Sequence, residues 1–161
     1  MSTETTVEVR KEHRWLQRLV GEWAFESEAS MAPGEPPEKY TGTESVRSLD
    51  GIWTLCEGRD EKGAASSMMT LGYDPARGRF VGTFVVGMMP YLWLYEGELD
   101  ADGKRLVLDA EGPSFTAEGQ MGKYKDSIEI VDDDHRVMTS RFLGDDGEWH
   151  EFMRASYRRT K

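Results

Sequence analysis

One cysteine, Cys56, stands among 161 residues. No disulfide can form within the chain, and no cysteine cluster can hold a metal. That usage suits a reducing compartment, so a cytoplasmic location is expected. Basic residues are outnumbered, with 20 Lys and Arg against 30 Asp and Glu and a formal charge of −10. Nucleic acid and anionic membrane surfaces both need a basic face, and the charge balance argues against either as a partner. Long apolar runs are missing too. The most apolar stretch, Val85 to Tyr95, is broken by Gly87 and Pro90 and is too short to span a bilayer. Met1 to Val9 is polar, carries Glu4 and Glu8, and does not read as a secretory signal. The three histidines share no metal-ligand spacing, and serine-nucleophile and phosphate-loop motifs do not occur.

What is present is periodicity. From Val9 to Val20, Trp15, Leu16, Leu19 and Val20 fall on one face of a helix, and Gly21 ends it. Beyond Gly21 the period changes to two, beginning with Glu22-Trp23-Ala24-Phe25-Glu26-Ser27-Glu28-Ala29. Half of the six prolines lie in the Met31–Pro37 loop, "MAPGEPP". Nine further strands are expected at 39–49, 52–59, 66–73, 79–86, 91–99, 104–111, 120–131, 136–143 and 148–159. The turns between them carry signals such as Asp50-Gly51, Asp74-Pro75, Asp102-Gly103 and Asp146-Gly147. Short connections leave no room for crossover helices, so about ten strands should meander and close into a barrel. The expected class is all-β, with residues 1–8 a flexible N-terminus and 9–161 one barrel domain.

Gly21-Glu22-Trp23, between a helix and a strand, resembles the G-x-W opening of lipocalin-like barrels. In those barrels the tryptophan plugs the closed end and an arginine of the last strand covers it. The resemblance assigns Trp23 that role and makes Arg154 or Arg158 its cover. The segments "EHRWLQRLVGEW", "GTESVRSLDGIW", "MTLGYDPARGRFVGT", "LWLYEGELDADGKRLVLDAEGPS" and "DDDHRVMTSRFLGDDGEW" together resemble the bacterial family known as domain of unknown function 1579. That resemblance covers Glu12 to about Arg159 and implies a lipocalin-like (calycin-type) barrel. It carries no catalytic residue to transfer.

Hairpin arithmetic then suggests a site. A two-residue turn at Asp133-Asp134 pairs positions summing to 267, which sets Asp126 opposite Arg141. A symmetric turn over Gly144–Gly147 sums to 291 and sets His150 opposite Arg141. Asp126, Arg141 and His150 would form a polar row inside the barrel, able to orient a ligand's carboxylate or hydroxyl. The alternative is a structural network that seals the core or sits at a wet mouth. His13, on the helix, and His135, in an acidic turn, read as solvated. Cys56 reads as a small buried apolar residue.

Trp53, Met69, Trp93 and Tyr95 are candidate cavity-lining residues, with Met68, Met88 and Met89 as adaptable apolar surface. Ordinary core filling would use the same residue types. The preferred function is uptake of an apolar or amphipathic small molecule. An enzyme using the His/Asp/Arg row and an interaction module with a filled barrel are the rivals. Haem would need His150 as its ligand, as in nitrobindin-like barrels, whose G-x-W-x-G-x-G pattern is absent here. No cofactor or metal is expected. The same register turns Met138, Phe142, Trp149 and Met153 to the outer face, where they would form a homodimer interface.

Overall fold

A computed structural model describes residues 7–30 and 35–161. Residues 1–6 of the expected flexible N-terminus and 31–34 of the proline-rich loop lie outside the described residues. A helix α1 (Lys11–Gln17) precedes β1 (Gly21–Ala29), β2 (Glu38–Leu49), β3 (Trp53–Arg59), β4 (Ala65–Asp74) and β5 (Arg79–Val86). Then come β6 (Met89–Leu99), β7 (Arg105–Pro113), β8 (Met121–Asp132), β9 (His135–Leu143) and β10 (Trp149–Arg159). Each strand pairs antiparallel with its sequence neighbours, and β1 closes on β10 to complete the barrel. Closure leaves no free sheet edge, which is how so long a meander avoids edge-to-edge association. Period-two sequence produces the two faces directly. Along β7, Leu106, Leu108 and Ala110 are buried while Asp109 and Glu111 face solvent.

The helix is shorter at both ends than its apolar pattern. Past Gln17 the chain tightens into three-residue turns, with the amides of Leu19 and Val20 donating to the carbonyls of Leu16 and Gln17. His13, expected at the surface, is buried at 1% exposure. Its Nδ1 accepts from the Arg10 amide at 2.9 Å, which leaves Nε2 to donate to the Tyr73 carbonyl at 3.1 Å. The Trp15 indole donates to the Gly103 carbonyl at 2.7 Å. With Leu16 and Leu19 fully buried, α1 plugs one end of the barrel.

Trp23 seals that same end, buried and donating from Nε1 to the Leu19 carbonyl at 2.8 Å. The cation over it is neither Arg154 nor Arg158. Arg154 is exposed beside Glu151, at 3.1 Å, and Arg158 points outward. Arg159, one residue on, places its guanidinium 4.3 Å from the Trp23 ring and donates to the Val20 and Arg18 carbonyls. It thereby satisfies carbonyls that the helix end leaves free. Gly21 makes this approach possible, since its φ of +142° disfavours a side chain and a Cβ there would collide with the Arg159 guanidinium. A second cation, Arg136, lies 4.8 Å from Trp23 and 3.9 Å from Tyr157.

Two bulges change the expected register. The Asp133-Asp134 turn forms, with Asp132 opposite His135, but the pairing slips between Ile130 and Asp132. Asp126 therefore faces Ser140, and Arg141 faces Lys125 on the outside. A second slip lies between Glu151 and Met153, leaving Phe152 as the extra residue. The turn between β9 and β10 itself runs one residue longer than the symmetric one, with Trp149 opposite Leu143, so His150 faces Phe142; beyond the slip, Met153 faces Ser140. The dimer patch dissolves with the register. Met138 is buried in the core, and Phe142 and Met153 pack against it. Trp149 alone stays outside, 37% exposed, with the Lys125 ammonium 5.0 Å from its ring.

Candidate functional site

Large side chains fill the closed half of the barrel. Leu71, Leu106, Leu108 and Ile128 are all but inaccessible. Toward the other end the walls diverge around a cavity of about 380 Å³. Its apolar lining comes from Phe84 and Val86 of β5, Met88 of the following turn, and Met89 and Trp93 of β6. Ala110, Phe115 and Tyr124 contribute from the β7–β8 hairpin, with Phe152, Met153 and Ala29 opposite. Phe115 packs edge-on against Tyr124 and Phe152, both with centroids at 5.3 Å, so an aromatic cluster roofs part of the mouth. The β10 bulge supplies two successive lining residues, Phe152 and Met153, where a regular strand would supply one.

Trp93 is held in place by what Gly112 lacks. A Cβ on Gly112 would overlap the indole ring, so the glycine is the seat that lets Trp93 pack directly against the backbone of β7. Tyr124 meets the same indole edge-on at 5.1 Å, and its hydroxyl donates to the Pro113 carbonyl at 2.6 Å.

Asp126, Tyr95 and Ser140 are the polar groups of this apolar lining. The Tyr95 hydroxyl donates to Asp126 Oδ2, and Ser140 also hydrogen-bonds the carboxylate. Desolvation raises the Asp126 carboxyl above its ordinary range, although both hydrogen bonds favour the anion. Burial and the adjacent carboxylate hold the Tyr95 phenol well above the usual value, so it remains a donor. No Lys, Arg or His is among the described residues lining the cavity.

The expected site residues therefore separate. Asp126, Trp93 and Tyr95 line the cavity. Met69 is buried in the core beside it, opposite Cys56 and Phe84. Trp53 lies on the outer face, 40% exposed, covering Gly72. Arg141 is outside and 3.9 Å from Glu151. His150 sits at the rim, stacked on Phe142 at 5.3 Å and bonded to Asp146 at 2.9 Å, and does not reach the cavity. The polar row of Asp126, Arg141 and His150 is not assembled. Phe115, Phe152 and Ser140 were missed. Ser140 would have followed from the correct register, whereas Phe115 belongs to a loop without periodicity.

A stability consequence follows from Asp126. The folded chain holds its proton more tightly than the unfolded chain does, so Asp126 lowers stability as pH rises through that interval. Asp126→Asn should melt above the parent at about pH 8, with the difference vanishing toward about pH 4. Each kcal/mol corresponds to roughly 2–4 °C in a chain of this size. Thermal melts followed by circular dichroism check this, and a variant that melts lower at the higher pH contradicts it.

Cys56 is buried, and burial pushes its thiol up, away from nucleophilic use. On the outside, a groove of about 710 Å³ carries Arg77, Arg79, Lys125, Glu96 and Asp109, which pair with one another at 2.7–3.9 Å. Among the described residues no helix is long and apolar enough to cross a membrane.

A family model described as "Protein of unknown function (DUF1579)" matches residues 8–159. No curated protein matches the chain in sequence. The crystal structure of Rv2717c from M. tuberculosis superposes with a TM-score of 0.62 and 14% identity, over 96% of this chain and all of that one. The S-type phycobiliprotein lyase CPES from Guillardia theta gives a TM-score of 0.54 at 14% identity, over 92% of each chain. At these identities the likeness is one of fold.

Proposed function

The chain belongs to the DUF1579 family of lipocalin-like barrels, and we propose that it is a binding protein that holds an apolar or amphipathic small molecule at the open end of its barrel. One observation carries the reading. The cavity of about 380 Å³ combines an apolar, aromatic wall with a single hydrogen-bonded carboxylate. Ligand sites have this composition and are of about 300–1,000 Å³. A barrel that served only its outer surface would gain by filling such a void, because each buried methylene adds about 0.8 kcal/mol.

Binding is favoured over catalysis by what surrounds Asp126. Tyr95 and Ser140 touch it, and among the described residues lining the cavity no histidine or lysine stands by to relay a proton. The phycobiliprotein lyase is a neighbour in fold and adds no weight to either reading. N-phenylnaphthylamine, a neutral apolar fluorophore, tests the proposal. Its emission should rise and shift blue on addition of the protein and saturate at one probe per chain. A flat response would remove the proposal.

A further inference from the structure

A carboxylate in an apolar cavity needs a partner, and here the protein supplies only half of one. An ionised carboxylate has about four acceptor sites. The Tyr95 hydroxyl and Ser140 occupy part of that capacity, and both are neutral. The groups packed around the site bring no positive charge. Tyr95 comes from β6, Tyr124 from β8, Ser140 from β9 and Tyr157 from β10, and the three phenols are all held above their ordinary range by burial. The interior guanidinium of Arg136 is engaged by Glu44 at the closed end, and Arg159 is spent on helix carbonyls and Trp23.

We propose that the polar end of the ligand is a cationic hydrogen-bond donor, an apolar amine whose ammonium seats on Asp126 while its apolar body lies against Trp93, Phe84 and Met153. The inference rests on the barrel reading above and gives it a substrate class. An incoming ammonium gives Asp126 the counter-charge that the cavity wall does not supply, and places its own charge where an acceptor waits. An anionic ligand would meet a like charge with no cation among the described lining residues to offset it, which is the stronger half of the discrimination. The formal charge of −10 acts in the same direction at long range, drawing cations toward the barrel.

Three dansyl amides test the assignment, alike in fluorophore and alkyl tail and ending in an ammonium, a methyl or a carboxylate. Titrations run at about 0.5 M salt, where attraction by the acidic surface is screened. The ammonium probe should bind the parent about tenfold or more tighter than the carboxylate probe, with the methyl probe between. In Asp126→Asn the ratio should collapse to about one, because the site no longer carries a charge to read. Tyr95→Phe serves as the second variant. It keeps Asp126 and the ring but removes a hydrogen bond that favours the anion, so the preference for the ammonium should persist at mildly alkaline pH, where the carboxyl is ionised. A carboxylate probe that binds the parent as tightly as the ammonium probe overturns the inference, as does a ratio that survives Asp126→Asn or is lost in Tyr95→Phe at mildly alkaline pH. If none of the three binds the parent, the barrel reading itself fails, and the inference falls with it.

Discussion

Replacing Glu44 by alanine is expected to cost about 3–5 kcal/mol of folding stability, a large part of the roughly 5–15 kcal/mol that holds a domain together. Glu44 of β2 forms an ion pair with Arg136 of β9, and their side chains are only 12% and 3% exposed. The guanidinium is already committed on both faces, 3.9 Å from the Tyr157 ring and 4.8 Å from the Trp23 ring. Its Nε has no hydrogen-bond partner. With the carboxylate gone, a buried cation is left without a counter-charge, and neither aromatic ring supplies one. Removing both charges is milder. Glu44→Leu with Arg136→Met should recover most of the loss, because desolvation of the pair offsets much of its attraction. Urea denaturation measures both. A loss below about 1 kcal/mol for Glu44→Ala would mean that the pair is in effect solvated.

The second large effect is on binding. Ala110→Trp should abolish uptake of N-phenylnaphthylamine while the barrel still folds. Ala110 points into the cavity from β7, opposite Tyr124 and beside Tyr95. An indole there projects into space that the protein leaves empty, so it displaces ligand before it displaces core. Affinity should fall by about a hundredfold or more, the equivalent of about 2.7 kcal/mol of lost burial. Ala29→Phe approaches from the facing wall and should act in the same direction. Full affinity in both variants, with circular dichroism unchanged, would place the probe elsewhere on the protein.

Strand order and closure were legible because they rest on two robust signals. Alternation marks each strand, and Asp-Gly or Asp-Pro turns mark four of the nine reversals. The ten strands fall within two residues of where those signals put them. Register was not legible, and the site depended on it. Both bulges lie in the two hairpins whose arithmetic was extrapolated from the turn. Neither Val131 nor Phe152 differs in type from an ordinary strand residue. One extra residue at Val131 was enough to take Arg141 out of the barrel and put Ser140 in its place. That exchange also reverses the chemistry of the site. A row with Arg141 would favour an anionic ligand, and Asp126 without it favours a donor.

The closed end repeats the lesson. The G-x-W resemblance marked Trp23 correctly as the plug, and it implied an arginine from the last strand. The resemblance named Arg154 or Arg158, whereas the bulge makes Met153, Ala155, Tyr157 and Arg159 the inward positions after Phe152. Arg136 had no signal at all, because its partner Glu44 lies 92 residues away and only barrel closure brings them together. His13 was misjudged for a related reason. A histidine between Glu12 and Arg14 looks solvated until the Tyr73 carbonyl arrives from β4.

The account stands or falls on whether a small molecule occupies the open half of the barrel, and the methionines report on that directly. With ¹³C-methyl-methionine protein, addition of N-phenylnaphthylamine should shift the methyl resonances of Met88, Met89 and Met153, which line the cavity. Those of Met121 and Met68, which lie outside it, should stay in place, as should that of Met138 in the packed core. Shifts confined to Met121 and Met68, or a spectrum unchanged at saturating probe, would contradict it.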